Sequence, residues 1–157
     1  MPKLIVLFYG AETPAVALAE AAAEGAQRVR FTEVDIRAGA GHPETTATRH
    51  KRLASAAEIR DYDGVILACP AAGDPPAALR RMLDALDREA VDAFADRVFG
   101  VAGAENTVLL GHVARLGGII VAEPRGENDP EERARRLGGK VATVVGWVRH
   151  ALSHEQH

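Results

Sequence analysis

Residues 3–26 read KLIVLFYGAETPAVALAEAAAEGA, and the fold turns on this stretch. Leu4-Ile5-Val6-Leu7-Phe8 is a continuous apolar run, as expected of a strand buried on both faces of a parallel sheet. Thr13-Pro14 then offers an N-cap followed by proline at the first helical position, and the Ala-rich segment beyond it predicts a helix that stops at Gly25. A buried strand leading straight into a helix is the opening of a βα unit. The same grammar recurs down the chain. Val65-Ile66-Leu67-Ala68-Cys69 follows the turn signal Asp63-Gly64, and Asp74-Pro75 precedes a helix over Ala77–Leu86. Residues 97–102 and 119–122 supply two more apolar strands, and a helix from Val108 to Leu116, capped by Asn106 or Thr107, separates them. Asp129-Pro130-Glu131-Glu132, with its capping-box acid, opens a last helix running to about His150. Val29–Ile36 alternates apolar and polar residues and reads as an edge strand. The resulting order, strand and helix in turn, predicts parallel strands joined by right-handed helical crossovers. Arg37–Arg60 interrupts it with Gly39, Gly41 and Pro43, and Thr48–Ala57 reads as a short helix.

The rest of the composition fits one α/β domain over 1–152 with a frayed tail at 153–157. The chain has 157 residues, 47% hydrophobic and 26% charged, and a net charge of −3 with Lys and Arg scattered among acids. Nucleic acid is therefore excluded as the main partner, since phosphate neutralisation needs a clustered positive face. The single cysteine, Cys69, rules out an internal disulfide and a Cys-rich metal site. The apolar run at Met1–Phe8 is broken by Tyr9, Gly10 and Glu12, too early for a secretory signal, and no apolar stretch approaches the ~20 residues that span a bilayer. A soluble, cytoplasmic protein is expected.

In an open parallel sheet, ligands bind beyond the carboxyl ends of the strands where the strand order reverses. Those ends are three loops here: Gly10-Ala11-Glu12-Thr13, Pro70-Ala71-Ala72-Gly73-Asp74 and Gly103-Ala104-Glu105-Asn106. The first two lead into helix N-termini, whose N–H groups suit an anion such as phosphate.

Residues 3–26 resemble the opening of flavodoxin-like NAD(P)H:quinone oxidoreductases of the tryptophan-repressor-binding-protein type. Residues 59–86, IRDYDGVILACPAAGDPPAALRRMLDAL, are similar to that family's second segment, with its Tyr-Asp turn, strand, Pro-containing loop and Leu-Asp helix. The likeness implies a flavodoxin-like three-layer sandwich with a five-stranded parallel sheet in the order 2-1-3-4-5. It also implies FMN held noncovalently by the three loops, electrons passed from NAD(P)H to a quinone-like acceptor, and a homo-oligomer. By the same resemblance, the loop from Gly10 to Ala15 holds the phosphate on its backbone N–H groups, Pro14 having none, with Thr13 as the hydroxyl ligand. The loops at Pro70–Asp74 and Gly103–Asn106 would edge the ring.

This chain departs from the family in those loops. Gly10, Pro14, Val16 and Ala17 stand where polar phosphate ligands are expected, and Ala71-Ala72 replace the residues that flank the ring. Glu12 adds a carboxylate, which at ~5 Å from a phosphate costs on the order of 1–3 kcal/mol. A second reading follows, from a different class: a flavin-free flavodoxin-like binding or assembly module.

Single residues carry a plain reading beside the functional one. Thr13 is a helix cap or a phosphate ligand, Asp74 a cap or an acid, and Cys69 a small core hydrophobe or a redox group. His112, one turn from Arg115, is a surface or packing residue or a proton donor. Trp147, spaced with Val144, Val148 and Leu152, reads as core rather than as a ring-stacking residue. His42 and His50 make a poor metal pair without a carboxylate nearby. No nucleophile elbow, CxxC or GxGxxG is present, which removes support for hydrolase, thioredoxin-like and Rossmann dehydrogenase readings.

Overall fold

The computed structural model describes residues 1–10, 12–39, 50–70, 75–89, 93–103, 107–124 and 126–155. Five strands form one sheet: β1 (Lys3–Phe8), β2 (Glu33–Ala38), β3 (Gly64–Cys69), β4 (Val98–Gly103) and β5 (Ile119–Val121). Four helices alternate with them: α1 (Glu12–Gln27), α2 (Ala77–Asp87), α3 (Thr107–Ala114) and α4 (Pro130–Glu155). The strands lie in the order β2-β1-β3-β4-β5, every neighbouring pair parallel and β1 between β2 and β3.

Alternation along the central strands builds two cores. Leu4, Val6 and Phe8 of β1, with Ile66 and Ala68 of β3, face α1 and α4. Ile5 and Leu7, with Val65, Leu67, Cys69 and Phe99, face α2 and α3. That is why these strands read as unbroken apolar runs: both sides of the pleat are covered. Cys69 is buried within the second core, as the small-hydrophobe reading holds.

Several element boundaries move from their expected places. The first helix does not stop at Gly25 but continues to Gln27, because Gly25 is a contact rather than a terminator. A Cβ there would overlap the Arg135 carbonyl of α4, and one at Gly138 would overlap the Ala22 carbonyl of α1. Two side-chain-free turns let α1 and α4 approach backbone to backbone. The edge strand begins at Glu33 rather than Val29, since Phe31 takes a left-handed conformation (φ 61°) and turns the chain. α3 ends at Ala114 rather than Leu116, and α4 runs past Leu152 to Glu155, so residues 153–155 are helical. The capping-box acid of α4 is also different. Glu132 bonds Arg135 and Arg136 along the helix, while the Asp129 N–H donates to Glu127 Oε1. Of Thr48–Ala57, residues 48 and 49 lie outside the described residues and 50–55 are non-helical. A 3₁₀ helix covers Ala56–Asp61 instead.

Trp147 is not core. It is 68% exposed on the outer side of α4, beside a groove of about 610 Å3 that Val29 and Val144 also line. The segment is helical, but Val141, Ala142 and Val145 carry its buried stripe.

Candidate functional site

At the carboxyl edge of the sheet, β1 ends and Gly10 follows with φ +100°, a conformation that favours glycine. The chain enters α1 two residues later, so Glu12, Thr13, Pro14 and Ala15 form the first turn of that helix. Thr13 is thus the second helical residue rather than the cap. Four N–H groups at a helix start lack an intrahelical acceptor. With the helix beginning at Glu12, the Ala15 and Val16 N–H groups turn back into the ladder and cannot serve a ligand. Pro14 has no N–H at all. Among the described residues, the outward donors are the Glu12 and Thr13 N–H groups and the exposed Thr13 hydroxyl.

Pro70 follows the end of β3, and Gly103 ends β4 with φ +135°. A Cβ at Gly103 would overlap the Cys69 carbonyl, so the ends of β3 and β4 close on each other only because this residue is glycine. Ala11, Ala71, Ala72, Gly73, Asp74, Ala104, Glu105 and Asn106 lie outside the described residues. Five predicted site residues are therefore brought to one edge by α1, namely Gly10, Glu12, Thr13, Pro14 and Ala15, and Pro70 and Gly103 join them from the neighbouring strands.

A cavity of about 340 Å3 opens there, lined by Pro14, Leu18, Pro70 and Gly103 on one side and by Asp129, Glu131 and Arg133 on the other. The second wall comes from the start of α4, which the three-loop reading did not include. Asp129 caps that helix, its Oδ1 accepting from the Glu131 N–H at 3.2 Å. One turn on, Arg133 is three-quarters buried and donates from Nε to Glu123 Oε2 at 3.1 Å and from Nη1 to the Glu127 carbonyl at 3.0 Å. Glu123 uses its other oxygen to accept from the Gly103 N–H at 2.7 Å. A carboxylate, balanced by a guanidinium, therefore occupies the backbone donor at the end of β4. The sequence did hold the signal for this wall. Glu123 lies two residues past β5, at the same edge as the three loops, and Asp129-Pro130 marks a helix starting there.

The remaining candidates fall elsewhere. His50 reaches back to α1, its Nε2 3.1 Å from Glu20 Oε1 and its ring edge-on to Phe8. His112 is half-buried on α3, and Arg80 and Arg81 are exposed on α2. Among the described residues no group of three or more His, Cys, Asp and Glu forms a metal site, and no helix is long and apolar enough to cross a membrane.

No family model and no curated protein matches this chain. Solved structures do. A short-chain flavodoxin associated with a PDU bacterial microcompartment superposes with a TM-score of 0.62 at 14% identity, over 92% of this chain and 99% of that one. The two-electron reduced flavodoxin of Megasphaera elsdenii gives 0.58 at 13% identity, over 89% and 98%. The diflavin flavoprotein A3 of Nostoc sp. gives 0.56 at 16% identity, over 98% and 97%. Sheet order, layering and these superpositions agree that the chain has the flavodoxin-like fold.

Proposed function

We propose that this chain binds FMN at the carboxyl edge of its sheet, with the phosphate at the start of α1. The observation that carries the reading is the cavity itself. It lies where β1, β3 and β4 end, α1 begins on its wall, and the Arg133 guanidinium, paired with Glu123, stands beside Pro14 and Gly103. The phosphate end would be held by the Glu12 and Thr13 N–H groups and the Thr13 hydroxyl, while Arg133 is paired with Glu123 and offsets the Asp129 and Glu131 carboxylates of the same wall only in part. Pro70, Leu18 and Gly103 supply an apolar and small border for the rest of the molecule.

Bound FMN supplies two-electron chemistry, and we place the protein as an NAD(P)H-dependent quinone or flavin reductase working as a homo-oligomer in the cytoplasm. The chain's own part is to hold the phosphate, to keep Gly103 small where β3 and β4 meet, and to fix Arg133 through Glu123 and Glu127. The test is direct. Purified protein, or protein mixed with FMN, should retain flavin absorbance through desalting. Replacing Glu12 with Ser should tighten binding by roughly 1–3 kcal/mol through relieved repulsion and an added donor. Absence of saturable binding in both chains would remove the enzyme reading.

Two observations favour the second reading, a flavin-free binding or assembly module. Glu123 already fills the Gly103 N–H, and Pro14 withholds a donor from the α1 terminus.

A further inference from the structure

Far from that edge, at the other end of α4, two histidines meet. His150 and His154 are four residues apart, so they lie on one face of the helix a turn from each other. Both are exposed, and their Nε2 atoms approach to 3.1 Å with the ring centroids 4.5 Å apart. At that separation the two ring nitrogens are within hydrogen-bond distance of each other.

We propose that His150 and His154 form a two-imidazole clamp for a divalent transition-metal cation of the copper, nickel or zinc class. The geometry carries the assignment. With metal–nitrogen bonds of about 2.0–2.1 Å, two nitrogens 3.1 Å apart subtend an angle of about 95–102° at a shared ion. That angle falls between the square-planar and tetrahedral values, so one ion fits once the hydrogen bond between the rings opens and both Nε2 lone pairs turn toward it. The donors are already held on a rigid helix, so the second imidazole closes intramolecularly once the first has bound. Ser153 Oγ donates to the His150 carbonyl at 2.7 Å, which ties down the turn between the two rings. Water fills the remaining positions of the ion, and each neutral imidazole binds through Nε2 with its proton on Nδ1. Preference should follow Cu(II) above Ni(II) and Zn(II), since imidazole pairs rank metals in that order.

The molecule carries its own reporter. Trp147, the only tryptophan, is exposed three residues before His150 and seven before His154, on the same stripe of α4. Titrating the full chain with Cu(II) should quench its fluorescence saturably at one ion per chain, and a chelator should restore it. His150→Gln and His154→Gln should each weaken binding by about tenfold or more, because either change leaves a single imidazole. His112→Gln, on α3, should bind as the native chain does. Both clamp residues are exposed, so the variants fold, which far-ultraviolet circular dichroism checks. Quenching that fails to saturate, or that persists at native affinity in either single variant, would overturn the proposal.

Discussion

At the scale of single residues, two glycines of α4 separate packing from propensity. Alanine is worth roughly 1 kcal/mol over glycine in a helix interior, so Gly→Ala should stabilise wherever a methyl group has room. Gly146 has that room, with nothing within 4 Å of an added Cβ, and Gly138 does not, since the Ala22 backbone occupies the space. Gly146→Ala should raise stability by about 0.5–1 kcal/mol, and Gly138→Ala should lower it by about 1–3 kcal/mol as α1 and α4 are forced apart. Urea midpoints of the two variants against the native chain measure both. Tyr62 offers a test in pH. Its hydroxyl donates to Asp35 Oδ2 at 2.6 Å, and burial, then this bond, push its pKa from 10.0 to about 12. A folded-state pKa above the unfolded one means the contribution is complete below pH 10 and is lost as pH rises toward 12. Tyr62→Phe should therefore cost about 1 kcal/mol at neutral pH and flatten the decline in stability above pH 10. A decline of unchanged steepness would show that another group drives it.

At the scale of elements, the start of α1 decides how well an anion is held. Pro14 removes one of the few outward N–H groups of that turn, so Pro14→Ser adds both a donor and a hydroxyl beside Thr13. It should strengthen FMN binding by about tenfold, and Thr13→Ala should weaken it similarly, as calorimetry would read. Element type and order were legible in the sequence because the strands are buried on both faces and each helix announces itself with proline, glycine or an acid. Ends were less legible, and for physical reasons. Gly25 looks like a stop, yet a glycine also permits close helix contact, and only the partner helix distinguishes the two. Phe31 continues an alternating pattern but is spent on a left-handed turn. Trp147 keeps the spacing of a buried stripe while standing on its exposed border. At the site, the β1 and β3 loops announce themselves, but the Glu123–Arg133 wall arises from β5 and α4 meeting at the same edge. Its parts are legible, Glu123 just past β5 and Asp129-Pro130 at a helix start, but their pairing through Arg133 is a tertiary contact.

At the scale of the whole molecule, the two-sided sheet leaves apolar residues at its β5 side. Val108 on α3 and Ile119 and Ile120 on β5 are partly exposed. Homo-oligomer formation that covers them should give a light-scattering mass above the 16.7 kDa of one chain, and a monomer at working concentration would contradict it. The proposed FMN site depends on a different property, a ligand held by its phosphate at the start of α1. Calorimetric titration with FMN and, separately, with riboflavin isolates that anchor, since the two ligands differ only in the phosphate. Saturable binding of one FMN per chain is expected, with riboflavin weaker by about tenfold or more from the lost charge-assisted bonds. Equal binding of both ligands, or binding of neither, would contradict it.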